Sequence, residues 1–168
     1  MNIFERIQQY ITKQKHVLII GKTETERHKF LIELSRHLSY QIIWFPSSMT
    51  RFDEYLQTVK IKKLFNASSP EKSKYNFNQI YDYHRDWIEN SNSIFILEEF
   101  HKMEEVWKIE LLKMFIENLE KYKRGATLLI VSQDEENGLL SKLKLTVNSN
   151  DKKTSEQIIN SNLKIVEI

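Results

Sequence analysis

Two acids, Glu98 and Glu99, follow directly on the apolar run Ser93-Ile94-Phe95-Ile96-Leu97, and a glycine, Gly21, closes an earlier apolar run from His16 to Ile20. In phosphoryl-transfer sites, carboxylates at the carboxyl end of a buried strand orient magnesium and polarise the attacking water. A glycine between a strand and a helix is where a backbone loop can wrap phosphate, in the pattern G-x-x-x-x-G-K-[ST]. Nucleotide chemistry needs both halves.

The glycine half departs from the pattern. With Gly21 as the first glycine, the second falls on Glu26, the lysine on Arg27 and the magnesium hydroxyl on His28. Glu26 adds bulk and negative charge where anionic oxygens would approach a helix N-terminus. Arg27 keeps the charge but as a planar fork, and His28 is a poor ligand for magnesium, which prefers oxygen. The shifted triplet Gly21-Lys22-Thr23 looks like the end of such a loop, but Lys15 to Ile20 are strand-like and supply no upstream glycine. The cofactor-side candidates are therefore Gly21, Lys22, Thr23, Thr25, Arg27 and His28, with ATP or no cofactor at all as the two alternatives. On a purely structural reading, Gly21 ends a strand and Thr23 or Thr25 caps the next helix.

In the acidic half, Glu98 stands where a shorter Asp is usual. Adjacent strand residues point to opposite faces, so at most one acid faces a given ligand. The alternative is a solvated pair of charges at a strand end. His101 with Glu98 does not make a metal site, which needs three or four convergent ligands.

These positions need a scaffold, and the apolar pattern supplies one. Five runs have strand length: His16 to Ile20, Gln41 to Phe45, Ser93 to Leu97, Ala126 to Val131 and Leu163 to Ile168. They are continuous rather than alternating, as in strands covered on both faces of a parallel sheet. Helical stripes lie between them: Ile3, Phe4, Ile7, Ile11; Phe30, Leu31, Leu34, Leu38; Phe52, Tyr55, Leu56, Val59; Phe77, Ile80, His84, Trp87, Ile88; and Trp107, Leu111, Leu112, Phe115, Leu119, Tyr122. The last ends in Lys121, Lys123 and Arg124, with Gly125 as the expected left-handed cap. Alternating β and α elements predict a three-layer α/β fold with a five-stranded, mainly parallel sheet. Pro46 to Tyr75 reads as a helix plus a surface excursion, and Asn148 to Lys153 as a loop before the last helix and strand.

The 168 residues fit one domain, and 40% hydrophobic with 29% charged residues suits a folded globular chain. A formal charge of +2 gives no global basic field, so nucleic-acid binding would be local. Lys60, Lys62 and Lys63, near Tyr55 and Phe65, are the candidate DNA surface, with a solvated helix face as the alternative. Without cysteine there is no disulfide or thiolate metal site, and no apolar run approaches the ~18 residues of a membrane span. A cytoplasmic, membrane-free protein is expected. Trp44, Trp87 and Trp107 read as packing residues.

The segment Leu97-Glu98-Glu99-Phe100-His101-Lys102-Met103 and the helix with Glu110-Leu111-Leu112-Lys113-Met114-Phe115-Ile116-Glu117 resemble bacterial clamp-loader subunits of the delta-prime and tau/gamma type. Those AAA+ proteins read "IIDEAHKM", then "NALLKTLEEP", then a strand such as "FILVT". The likeness runs through Leu128 to Ser132 into Asn137-Gly138-Leu139-Leu140 and covers about residues 10 to 147. It implies an AAA+ core (P-loop NTPase-like) with a degenerate Walker A loop. Glu98 and Glu99 then stand for the Walker B acids and Ser132 for the polar sensor on the neighbouring strand, so these three are the catalytic candidates. The family's arginine finger would fall near Leu145-Thr146-Val147, where there is no arginine. Its cysteine zinc site, lid domain and collar domain have no counterpart in 1–168. The resemblance also implies that members without ATP hydrolysis are a real category.

Two functions follow. The first is a single AAA+-like domain, 1–168, acting without catalysis by protein contacts in a heteromeric DNA-replication or mobile-element assembly. The second is a small atypical ATPase with Lys22 or Arg27 on phosphate and Glu99 as base; a small P-loop kinase is a weaker third.

Overall fold

Along the first strand, Val17 and Ile19 turn to one side and Leu18 to the other, and all three are buried. That alternation organises the molecule. The computed structural model describes residues 1–45, 88–145 and 153–168. Its elements are α1 (Ile3–Thr12), β1 (His16–Ile20), α2 (Glu24–His37), β2 (Gln41–Phe45), β3 (Ser93–Leu97), a 3-10 turn (Phe100–Lys102), α3 (Glu105–Tyr122), β4 (Thr127–Ser132), α4 (Asn137–Leu140), α5 (Ser155–Asn162) and β5 (Leu163–Glu167). The helices expected around Phe52 to Val59 and Phe77 to Trp87 lie outside the described residues, as do Trp87, Thr146, Val147 and Lys60, Lys62 and Lys63.

All pairings are parallel, in the order β2-β3-β4-β1-β5. One face packs Val17, Ile19, Ile94, Ile96, Leu129 and Val131 against Ile7 and Ile11 of α1 and Leu31 and Leu34 of α2. The other packs Leu18, Phe95, Leu97, Leu128 and Ile130 against Leu111, Leu112, Phe115 and Ile116 of α3 and Ile158 and Ile159 of α5. The expected three-layer α/β arrangement around a five-stranded parallel sheet is the observed one among the described residues.

The strands β3 and β4 are buried throughout, as continuous apolar runs require. β5 is an exception to the expected cover on both faces. It lies at the sheet edge, only Leu163 and Val166 are buried, and Ile165 is 44% exposed. The stop of α3 also differs from expectation. The left-handed cap is Lys123 (φ 55°), whose N–H donates to the carbonyl of Leu119, while Gly125 has φ 140° two residues later. Gly125 answers a steric need instead: a Cβ there would lie 2.4 Å from Asn118 Nδ2 and 3.0 Å from the Ile88 carbonyl oxygen. Tyr122 is half exposed rather than part of the apolar stripe.

One histidine is built into the core. His16 is fully buried at the start of β1, its Nδ1 accepting from the Leu128 N–H (2.9 Å) and its Nε2 lying 3.0 Å from the Phe115 carbonyl oxygen. That pair of bonds selects the Nε2–H tautomer of a neutral ring. Burial pushes its pKa down to about 4, against the hydrogen bond to Phe115, which raises it. Among the described residues no helix is long and apolar enough to cross a membrane.

Candidate functional site

Parallel strands bring their carboxyl ends to one edge, where open α/β sheets place their ligands. Here that edge gathers Gly21, Glu98, Glu99 and Ser132. Gly21 donates its N–H to the Ser132 carbonyl (3.2 Å), next to the paired residues Ile20 and Ser132.

The connection from β1 to α2 is short. β1 ends at Ile20, Thr23 is the N-cap, and α2 begins at Glu24, so only Gly21, Lys22 and Thr23 join them. The residues from Glu24 to Glu26, which in the phosphate-loop pattern would arch around the ligand, are instead the first helical turn. Thr23 Oγ1 accepts from the Glu26 N–H, and Glu26 Oε2 accepts from the Thr23 N–H, both at 3.2 Å. This reciprocal capping box satisfies two amides that a phosphate would otherwise take. Lys22, Thr23 and Thr25 are exposed, Lys22 and Thr23 lying ahead of the helix rather than in its first turn.

Arg27 is buried and holds three bonds. Its Nε and Nη2 donate to Glu99 Oε1 (2.7 Å) and Oε2 (2.8 Å), and Nη1 donates to the Gly21 carbonyl (2.6 Å). Two parallel N–H···O bonds are the strong fork geometry of arginine and carboxylate. Gly21 makes room for this: a Cβ there would lie 2.8 Å from Arg27 Cγ and 3.0 Å from Ile168 Cγ1. The next residue repeats the theme. His28 Nδ1 meets Glu98 Oε1 at 2.6 Å, and Trp44 Nε1 donates to Glu98 Oε2 at 3.0 Å.

The sequence expectation for the two acids needs correction. Neither is a solvated charge, since Glu98 is 3% and Glu99 2% exposed, and both turn toward α2. Strand alternation does not apply because β3 stops at Leu97, and Glu99 is left-handed (φ 58°). A non-glycine residue in that region stores strain, offset here by the contacts that hold it.

A second layer surrounds the pairs. His101 Nδ1 accepts from the Gln133 N–H (3.2 Å) and its Nε2 faces Glu99 Oε2 at 3.2 Å. Its partner is thus Glu99, not Glu98. Burial lowers the His101 pKa, with Glu99 opposing and Arg27 reinforcing the shift. Lys102 bridges to Glu24 at 3.0 Å. Ser132 belongs to an adjoining network: its Oγ donates to Glu136 Oε1 (3.2 Å), and Lys108 Nζ donates to both Glu136 oxygens (3.1 and 3.3 Å) and to the His101 carbonyl (3.1 Å). Among the described residues, no three His, Cys, Asp or Glu side chains are grouped to hold a metal.

Trp44 packs partly buried against the core, as its residue type suggests, and adds the bond to Glu98, whereas nothing in the sequence singles out Lys108 or Glu136. No local signal marks them, because their partners are distant in the chain. The capping box was legible in principle, since Thr23-x-x-Glu26 has the required spacing. Chemically, both oxygens of Glu99 are engaged, and Arg27 and His28 are each bonded to an acid.

No protein-family model matches the chain, and no curated protein matches it. Solved structures do. A chain of Drosophila ORC, determined with AT-rich DNA and Cdc6, matches 98% of this chain at 9% identity with a TM-score of 0.55. Cdc6p from Pyrobaculum aerophilum matches 96% at 12% identity with a TM-score of 0.53. This chain spans 28% and 43% of those two chains. At these identities, what this chain shares with them is the fold, a P-loop NTPase-like α/β arrangement around a parallel sheet.

Proposed function

We propose that the chain is a noncatalytic AAA+-like module, working as one unit over 1–168 by protein contacts in a heteromeric DNA-replication or mobile-element assembly. The observation that carries this reading is the bidentate Arg27–Glu99 pair, closed onto the Gly21 carbonyl. It sets a protein cation against the acid that would polarise water. The three-residue link and its capping box support the same reading, because they leave few free amides for phosphate. The Walker A region is on this view degenerate in backbone course as well as in residue type. The solved neighbours, one of them described as ORC bound to DNA and Cdc6, support a replication-type setting with protein and DNA partners. The clamp-loader resemblance supports it independently. DNA is then reached through the partner or through Lys60, Lys62 and Lys63.

Titration calorimetry with ATP, with and without magnesium, tests the proposal. No binding in the micromolar range is expected in either condition. Micromolar, magnesium-dependent binding abolished by Lys22→Ala would sink it and favour the atypical ATPase. Affinity purification of the tagged chain from its native host should recover a stoichiometric protein partner.

A further inference from the structure

The opposite edge of the sheet, where the strands begin, is strongly basic. β1 starts beside β5, with His16 paired to Leu163, and β4 starts next to β1. This register brings together Lys15, just before β1, Lys164 near the start of β5, Lys123 at the end of α3 and Lys153 ahead of α5. Glu120 stands among them. Its Oε1 takes Lys153 Nζ at 3.1 Å and Lys123 Nζ at 3.3 Å, and its Oε2 takes Asn162 Nδ2 at 3.0 Å. Lys164 Nζ is held by the Asn160 carbonyl at 2.9 Å.

Glu120 fixes two of the four ammonium groups in place, Lys123 and Lys153. Burial lowers the Lys15 pKa first, and Lys164, Lys123 and Lys153 lower it further while Glu120 opposes them. Such crowding is unfavourable by itself, and a row of anionic oxygens would relieve it. An aromatic residue, Tyr122, directly precedes Lys123 at the end of α3. Tyr122 is half exposed, Lys121 Nζ lies 5.0 Å from its ring centre, and with Arg124, Asn118 and Glu89 it lines a recess of about 110 Å³. A lysine cluster together with an exposed aromatic residue suits a strand of phosphates with unpaired bases better than an isolated phosphate or a lipid surface.

We infer that this edge binds single-stranded nucleic acid, with Lys15, Lys123, Lys153 and Lys164 on the phosphates and Tyr122 stacked on a base. The site is separate from Gly21 and Glu99 at the far edge, so it stands or falls independently of the proposed loss of nucleotide chemistry.

Fluorescence anisotropy with a labelled 20-nucleotide oligothymidylate, titrated with the full chain at several salt concentrations, tests it. Binding should weaken steeply with salt. Lys15→Ala/Lys153→Ala/Lys164→Ala should lower affinity at least tenfold and reduce the salt slope by about 2, at roughly 0.7 for each phosphate no longer neutralised. Lys15→Gln and Lys164→Gln, which leave the Glu120 bonds intact, should each cost about threefold, and Lys142→Ala at the other edge should stay within twofold. Tyr122→Ala should lower affinity for the single strand about tenfold and leave duplex binding unchanged. The inference is overturned by absence of binding at low salt, by binding that survives the triple substitution with its salt slope intact, by indifference to Tyr122→Ala, or by preference for anionic vesicles.

Discussion

Arg27 and Glu99, seventy-two residues apart, meet through two parallel hydrogen bonds of 2.7 and 2.8 Å in a nearly solvent-free position. The pair joins the start of α2 to the end of β3 and spans the place where a P-loop fold would hold nucleotide. Its desolvation cost is offset by the fork geometry and by the third bond to Gly21.

Breaking one side of this pair should therefore cost more than removing both. Arg27→Ala is expected to destabilise the chain by about 3–5 kcal/mol, because Glu99 is left buried without its cation. Arg27→Met/Glu99→Leu should be closer to wild type than either single loss, and Arg27→Lys should cost about 2 kcal/mol through the lost fork. Urea midpoints measure all three. A double-variant loss equal to the sum of the two single losses would show that the pair does not act as a unit.

Restoring the motif should not restore the site. Glu26→Gly/Arg27→Lys/His28→Thr rebuilds the G-K-T signature, yet α2 begins at Glu24 and the link has only three residues. We expect no ATP binding by calorimetry and a lower unfolding midpoint, since the capping box and both acid partners are lost. A gain of magnesium-dependent ATP binding would place the defect in residue type alone.

Acid should weaken the fold through His16. The folded ring has a pKa of about 4 and the unfolded one about 6.5. Above pH 6.5 both states are neutral and the linkage is flat. Between 6.5 and 4 only the unfolded chain takes the proton, so stability falls as pH falls, by about 3 kcal/mol at most. Urea unfolding at pH 7.5, 5.5 and 4.5 should show a smaller slope for His16→Gln than for wild type. Equal slopes would remove His16 as the source.

Gly125→Ala should be disruptive although the site is a turn. The new methyl group would meet Asn118 Nδ2 at 2.4 Å and the Ile88 carbonyl oxygen at 3.0 Å, at a φ of 140°. A loss of about 2 kcal/mol or more is expected in thermal or urea unfolding. Lys123→Gly, at the actual left-handed cap, should be neutral or stabilising.

The layered fold was legible because its signals are local. Five apolar runs of strand length alternate with 3.6-residue stripes, and each run lies on or within a residue of its observed strand. β5 was misread as covered on both faces, because a short apolar run carries no mark of edge position. The cap of α3 was placed at Gly125 on residue type, whereas Lys123 takes the left-handed turn and Gly125 answers a clash with Asn118.

For the site, the sequence by itself determined which residues stand at the carboxyl edge of the sheet. Counted from Gly21 on the phosphate-loop pattern, Arg27 and His28 align with the lysine and the hydroxyl, and Glu98 and Glu99 directly follow β3. Only the tertiary structure decided what they do there. Whether a carboxylate is solvated, free to polarise water or locked to a guanidinium depends on partners some seventy residues away and on a turn that sets both acids toward α2. Local periodicity carries no information about such pairings. The same holds for Glu120, whose two lysines, Lys123 and Lys153, come from separate stretches of the chain and meet only in the fold.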